Sequence, residues 1–382
     1  MALNITNPTY LDCNATTPLD PDVREEMMRF FDIEFGNPGS RTHVYGTRAK
    51  VAVNEARRHI AKVVHALPED VIFTSGATES NNIAILGLAH DGRKKGLTHV
   101  VTTQIEHKAV LEPCQRLGED GFEVTVVAPN EQGWVEPTAI AAAVRPETLL
   151  MSVMQVNNET GVVQPIAEIA EALAEHACYF HIDAAQGFGK ELAGLRSPRI
   201  DLISISGHKI YAPKGIGALI MKRRRGIRPP LRPIMVGGGQ EAGLRSGTLP
   251  APLIVALGKA AELALCDHEA RRKACEDFKA RALEALEPFG IQMNGDLVRT
   301  LPSTLNFSIP GIDSEALMVA LKDVIAVSNG SACTSNSYEL SHVLLAMGLS
   351  EERASGALRL SWCHMTPKPD WSAVAAGIRQ ML

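Results

Sequence analysis

Five short stretches of the chain place polar or reactive side chains directly behind apolar runs. They are Gly76-Ala77-Thr78, Glu106-His107, Asn157-Asn158, Asp183 with Gln186, and Ser206-Gly207-His208-Lys209. In the last, Leu202, Ile203 and Ile205 read as a buried strand, and the mouth of such a strand is a costly place for a free ammonium. A lysine there can instead be held as a Schiff base with an aldehyde. The stretch "SGATESNN" (75–82) offers Ala77, Thr78 and backbone N–H groups at a helix N-terminus, a setting that suits a phosphate. Ser206 and His208 can add hydrogen bonds to the same group. An aspartate such as Asp183 keeps a pyridine nitrogen protonated by placing a negative charge beside it. A histidine such as His107 can stack on a flat heterocycle. Phosphate, ring nitrogen and aldehyde together describe pyridoxal phosphate, an electron sink for carbanions. Singly, Asp183 could cap a helix, Asn158 could hold a turn, and His107 could be an ordinary surface histidine. Five such stretches at the same kind of position argue for one shared site.

That position is the carboxyl end of a strand, where open parallel sheets bind their ligands. Apolar strands are expected at "DVIFT" (70–74), "THVVTT" (98–103), "LLMSVMQV" (149–156), "CYFHID" (178–183), "DLISIS" (201–206) and "GALIMK" (217–222), alternating with helical stretches. This pattern predicts an α/β fold with a mostly parallel sheet covered on both faces. From Pro250 a long helical segment, roughly 250–286, leads into a C-terminal third that reads as a smaller α+β domain.

Hydrophobic residues make up 45% of the 382 residues and charged residues 21%, ordinary for a soluble globular protein of up to two domains. The net charge of −5 argues against direct nucleic-acid binding. The run Lys222-Arg223-Arg224-Arg225, with Arg228 and Arg232, reads as a solvated basic loop, with an acidic partner as the alternative. Seven cysteines, none in CxxC spacing, suit free thiols in a reducing, cytoplasmic setting better than disulfides or a zinc site, so no metal is expected. No signal peptide or membrane-spanning run is visible.

Nine stretches together resemble the cysteine desulfurases: "YLDCNATTP", "FGNPGSRTHVYG", "FTSGATESNN", "EHKAV", "VNNETGVVQP", "HIDAAQ", "SGHKIYAPKGIGAL", "GGGQEAGLRSGTL" and "NGSACTS". They lie in the family's order across nearly the whole chain. The resemblance implies a fold-type-I pyridoxal-phosphate transferase of the class-V aminotransferase superfamily. It implies a large domain (15–258) with a mostly parallel seven-stranded sheet, and a small domain (1–14 and 259–382). It also implies a homodimer with the active site at the subunit interface. By resemblance, Lys209 is the Schiff-base lysine, His107 stacks on the ring, Asp183 pairs with the pyridine nitrogen and Gln186 contacts the ring hydroxyl. Ala77, Thr78, Ser206 and His208 bind the phosphate, joined by Thr248 of the other subunit. Asn158 touches the cofactor and, with Arg359, holds the substrate carboxylate.

Cys333 lies in "VSNGSACTSNS" (327–337), which matches the family's catalytic loop. The implied reaction takes L-cysteine to L-alanine. Lys209 removes the α-proton, His107 shuttles protons, and the Cys333 thiolate takes the substrate sulfur as a persulfide destined for an acceptor protein. Iron–sulfur cluster assembly, thio-cofactor or tRNA thiolation, and DNA phosphorothioate modification are the open destinations. Cys13-Asn14, Ala212 and "LSWCHMT" (360–366), with Trp362 and Cys363, depart from the common pattern. A selenocysteine lyase, another small-amino-acid enzyme of the same cofactor class, and a non-enzymatic binding protein are the rival readings. The last is disfavoured by the intact Lys209, Asp183 and His107.

Overall fold

The computed structural model describes residues 7–330 and 340–382. Its central sheet has seven strands: β1 (Val71–Thr74), β2 (His99–Thr103), β3 (Glu123–Val127), β4 (Thr148–Met154), β5 (Tyr179–Asp183), β6 (Leu202–Ser206) and β7 (Gly217–Met221). Their spatial order is β1-β7-β6-β5-β4-β2-β3. Strands β2 to β6 run parallel, and β7 is antiparallel to both its neighbours. The expected α/β architecture is therefore present.

The near-continuous apolar strands have a simple cause. Successive side chains point to opposite faces, and both faces are covered. Ile203 and Ile205 of β6 join one core, with helices Val44–Val63 and Ala251–Cys266. Leu202 joins another, with helices Ala77–Leu86 and Lys108–Glu119.

Two secondary-structure expectations differ from the structure. β3 was not anticipated: its "EVTVV" is half-exposed at the sheet edge, so it lacks the apolar run of its neighbours. The long helix is two helices, Ala251–Cys266 and His268–Leu286, separated at Asp267 (φ −104°, ψ 9°). The first is mostly buried; the second buries a single stripe.

The C-terminal region has its own three-stranded antiparallel sheet, Gln292–Met293, Thr304–Ser308 and Ala357–Ser361. A third core packs on it, including Leu11, Phe307, Leu358 and Trp362. Strand Thr9–Tyr10 pairs with Ile325–Ala326 in a separate two-stranded sheet, and Asp12 bridges to Ser361 of the three-stranded one.

The basic run is only partly solvated: Arg225 is exposed, but its neighbours are paired. Arg223 and Arg228 both bind Asp70, each at 2.9 Å, and Arg224 binds Asp201. Lys222 is buried and donates to the carbonyls of Val64 (3.3 Å) and Ser197 (2.8 Å). These cations hold sequence-distant segments together, because buried carboxylates such as Asp70 and Asp201 need partners.

Candidate active site

Where the parallel strands end, a cleft of about 500 Å³ opens. It is lined by Ala77, Thr78, His107, Asn158, Asp183, Gln186, Ser206, His208, Lys209 and Arg359. These ten expected site residues come from both sheets and meet in one place. Thr248 does not: it lines a separate cleft with Arg57 and Glu241. Cys333 lies outside the described residues, while Gly330, three positions before it, lines the site cleft.

Asp183 ends β5, and its carboxylate is oriented from two sides. Asn81 donates to Oδ2 at 2.8 Å, and the Ala185 N–H donates to Oδ1 at 2.9 Å. Asn81 is fully buried on helix Ala77–Leu86. Nothing in the local sequence marks it, because the burial that makes its amide seek a partner is a property of the fold.

Lys209 closes a single 3₁₀ turn, Gly207–Lys209, immediately after β6. Its Nζ donates to the carbonyls of Asn14 (2.5 Å) and Ala15 (2.9 Å). Beside it, burial pushes the His208 imidazole down to about 4, with Lys209, Lys214 and Lys190 acting in the same direction. His208 is therefore neutral near pH 7 and keeps a hydrogen-bonding ring without adding charge. Its Nδ1 lies 3.2 Å from the Thr16 hydroxyl.

His107 caps helix Lys108–Glu119, its Nδ1 accepting from the Ala109 N–H at 3.0 Å. With Nδ1 an acceptor, the neutral ring carries its proton on Nε2. Below it, Glu106 is fully buried and accepts from Thr103 (2.6 Å) and the Met154 N–H (2.9 Å). Burial pushes the Glu106 carboxyl up to about 8 despite those bonds, and the charge of Asp183 adds to the rise. Held neutral, it places no second negative charge under Asp183.

Arg359 belongs to the C-terminal sheet and is 3% exposed. One terminal nitrogen donates to Asp12 at 2.5 Å and the other to the Asn158 carbonyl at 2.9 Å. Its Nε is buried without a partner. Asp12 fixes the guanidinium, and Asn14 accepts from both Lys209 and Gln186.

The residues fit pyridoxal phosphate. Gln186 donates to the Asn14 carbonyl at 2.8 Å, which leaves its buried Oε1 without a donor. A ring hydroxyl would supply one. The turn before helix Ala77–Leu86 lies close to the sheet because Gly217 has no side chain. A Cβ there would fall 2.6 Å from the Gly76 Cα. That helix N-terminus, with its unpaired N–H groups, faces the same cleft as Ser206 and His208.

Of the departures from the common pattern, Asn14 lines this cleft, whereas Cys13, Ala212, Trp362 and Cys363 do not. Trp362 points into the C-terminal core, stacks on Phe278 with ring centroids 4.8 Å apart, and donates to the Cys275 carbonyl at 3.1 Å. Cys13 and Cys363 are buried against Tyr211. The contact between the two thiols pulls Cys363 down to about 6 and pushes Cys13 up.

Comparisons with known proteins identify the family. The class-V aminotransferase family pattern matches residues 9–373. A cysteine desulfurase IscS from Salmonella arizonae is 46% identical over 366 residues, 95% of this chain and 90% of that protein. The crystal structure of DndA from Streptomyces lividans is 49% identical, with a TM-score of 0.82 over 93% of this chain and 99% of that one. SspA in complex with cysteine is 37% identical, with a TM-score of 0.81 over 94% and 100%. The chain belongs to the class-V aminotransferase family, as a pyridoxal-phosphate-dependent cysteine desulfurase.

Proposed function

We propose that this desulfurase uses Lys209, His107 and Cys333 as its catalytic residues, with Asp183, Gln186, Ala77, Thr78, Ser206 and His208 holding the cofactor. Asn158 and Arg359 hold the substrate carboxylate. Bound pyridoxal phosphate supplies the electron sink for the pair left when the α-proton of L-cysteine departs. Lys209 Nζ takes that proton. Asp183, fixed by Asn81, keeps the ring nitrogen protonated. His107, with its proton on Nε2, donates on the side of the cleft that Gly330 also lines. The Cys333 thiolate attacks the substrate sulfur, an S–S bond forms and the C–S bond breaks. The electron pair stays with the carbon fragment, which takes up protons and leaves as alanine.

The observation that carries this reading is that Gly330 and Lys209 line one cleft. Three residues span at most about 10 Å, so a thiol at position 333 is tethered within reach of a substrate held there. Cys363, the next thiol in the sequence, is 3% exposed and packs with Cys13. Cys333→Ser tests the assignment. The variant should keep its bound-cofactor absorbance and still respond to L-cysteine, yet release neither alanine nor sulfide. Normal alanine release would refute it.

Several finer features belong to the same proposal. The division into domains at 15–258 and at 1–14 with 259–382 is supported by the separate C-terminal core. A homodimer is supported by Thr248 lying away from the cleft, and by exposed Phe31, Ile33, Phe35, Val44, Tyr45 and Val51 on one stretch of chain. Cytoplasmic residence is supported by the six described cysteines, all free thiols. No described helix is long and apolar enough to cross a membrane. A sulfur-acceptor protein, for cluster assembly, thiolation or DNA phosphorothioate modification, completes the reaction, and transfer of labelled sulfur from Cys333 would identify it.

A further inference from the structure

Lys209 follows a strand of the large sheet, yet its Nζ donates to a stretch that is pinned elsewhere. The acceptors are the carbonyls of Asn14, at 2.5 Å, and Ala15, at 2.9 Å. Asn14 is 4% exposed and lines the same cleft. Its N–H donates to the Ser361 hydroxyl at 2.9 Å. Its side-chain Nδ2 donates to the Thr304 hydroxyl and to the Asn158 carbonyl, each at 3.1 Å. Thr304 and Ser361 are buried and face each other across two strands of the C-terminal sheet. Asn14 is thus anchored to that sheet and to the turn that also meets Arg359.

The other end of the stretch is fixed to the turn that carries Lys209. The Thr17 N–H donates to the His208 carbonyl at 2.9 Å, and the Tyr211 N–H donates to the Thr17 hydroxyl at 3.0 Å. Gln186 donates to the same Asn14 carbonyl at 2.8 Å. The two carbonyls are therefore held from both sides and form a seat for the Lys209 nitrogen. A carbonyl oxygen only accepts. An uncharged amine and an ammonium can both donate to it, but the ammonium does so more strongly. Such a seat therefore favours the charged form.

We propose that Asn14 is a positioning residue for Lys209, whose side chain fixes the carbonyls that receive the ammonium once Nζ has taken the α-proton. The proposal rests on Lys209 being that base. In the step the substrate Cα–H bond breaks, an N–H bond forms at Nζ, and the electron pair stays on the substrate side. The amine is uncharged before the step and charged after it, so the seat lowers the barrier. The same seat opposes any reaction that needs an uncharged Nζ in cofactor-free protein, such as bonding to an added aldehyde. Loosening it therefore acts with opposite sign on the two events.

The test compares wild type with Asn14→Ala, Thr304→Val, Thr304→Ser and Lys209→Ala at neutral pH. Thr304 lies outside the cleft lining, so its hydroxyl bears on Lys209 through Asn14. One measurement is exchange of the L-alanine α-proton by the holoenzyme in deuterium oxide at saturating alanine, followed by NMR. The other is the rate at which cofactor-stripped protein bonds added pyridoxal phosphate, followed by absorbance. Asn14→Ala should slow exchange by about 5-fold to 100-fold, the range of the two side-chain hydrogen bonds lost. It should also speed cofactor uptake by about twofold or more. Thr304→Val loses one of those bonds and should move both rates in the same senses by about 2-fold to 10-fold. Thr304→Ser keeps the hydroxyl and should match wild type. Slower exchange without faster uptake means that Asn14 merely supports the cleft, and overturns the proposal. Unchanged exchange in both Asn14→Ala and Thr304→Val overturns it equally. Thr304→Val carries the test if Asn14→Ala does not fold. Lys209→Ala reports separately: exchange there refutes Lys209 as the base, whereas its loss alongside normal exchange in Asn14→Ala refutes only the seat.

Discussion

Arg359→Ala removes a guanidinium that already has two protein partners. The side chain is 3% exposed, bound to Asp12 and to the Asn158 carbonyl, with Nε buried and unpaired. Its place in the cleft matches a clamp for the substrate carboxylate, made of charge-assisted bonds from a planar fork. Removing one partner of such a desolvated pair costs about 2–5 kcal/mol. That corresponds to roughly 30-fold to several-thousand-fold in kcat/KM for L-cysteine. Arg359→Lys should recover only part, since an ammonium cannot reproduce the planar fork. Asp12→Asn is the internal comparison. It leaves the fork in place but removes its fixed charge partner, so it should impair the enzyme less than Arg359→Ala. The assay is steady-state alanine release, with bound-cofactor absorbance as the control for folding. Cofactor content should stay near wild type, because the phosphate and ring contacts proposed above come from the large sheet. A loss under about threefold in Arg359→Ala, with cofactor content intact, would show that Arg359 only anchors Asp12, since a carboxylate clamp is worth far more.

Asp183→Asn should slow α-proton exchange sharply, because a neutral amide does not hold the ring-nitrogen proton. Asn81→Leu should slow it less, since the Ala185 N–H still orients the carboxylate; equal rates in wild type and Asp183→Asn would refute the ring-nitrogen assignment. Glu106→Gln should flatten the pH dependence of stability. The Glu106 carboxyl is raised to about 8 by burial, so the stability it contributes is fully present below the ordinary carboxylate range and is lost as pH rises through 8. Thermal midpoints between pH 5 and 9 should fall more steeply in wild type than in Glu106→Gln, and parallel curves would show that Glu106 does not titrate there.

What was legible in the sequence follows the range of the forces involved. Lys209, Asp183, His107 and Thr78 were readable because each sits just past an apolar run, and the end of a strand is a local property. Their supports were not. Asn81 reaches Asp183 across 102 residues, Arg359 reaches Asp12 across 347, and Asn14 reaches Lys209 across 195. Nothing in a local window distinguishes such an asparagine from one that faces water. The same reason explains the basic run. Four consecutive cations look solvated until the fold brings Asp70 to Arg223 and Asp201 to Arg224. β3 was missed for the opposite cause: at the sheet edge the burial that marks a strand is absent, and pairing to β2 is what defines it. Cys13 and Cys363 show the limit most plainly. Both stood out as departures from the family pattern, yet only the fold, which pairs Asp12 with Ser361, turns two unrelated departures into one buried thiol contact behind Asn14. A change at either position therefore has to be read as a change in the pair, and through Asn14 it bears on the carbonyl that receives Lys209.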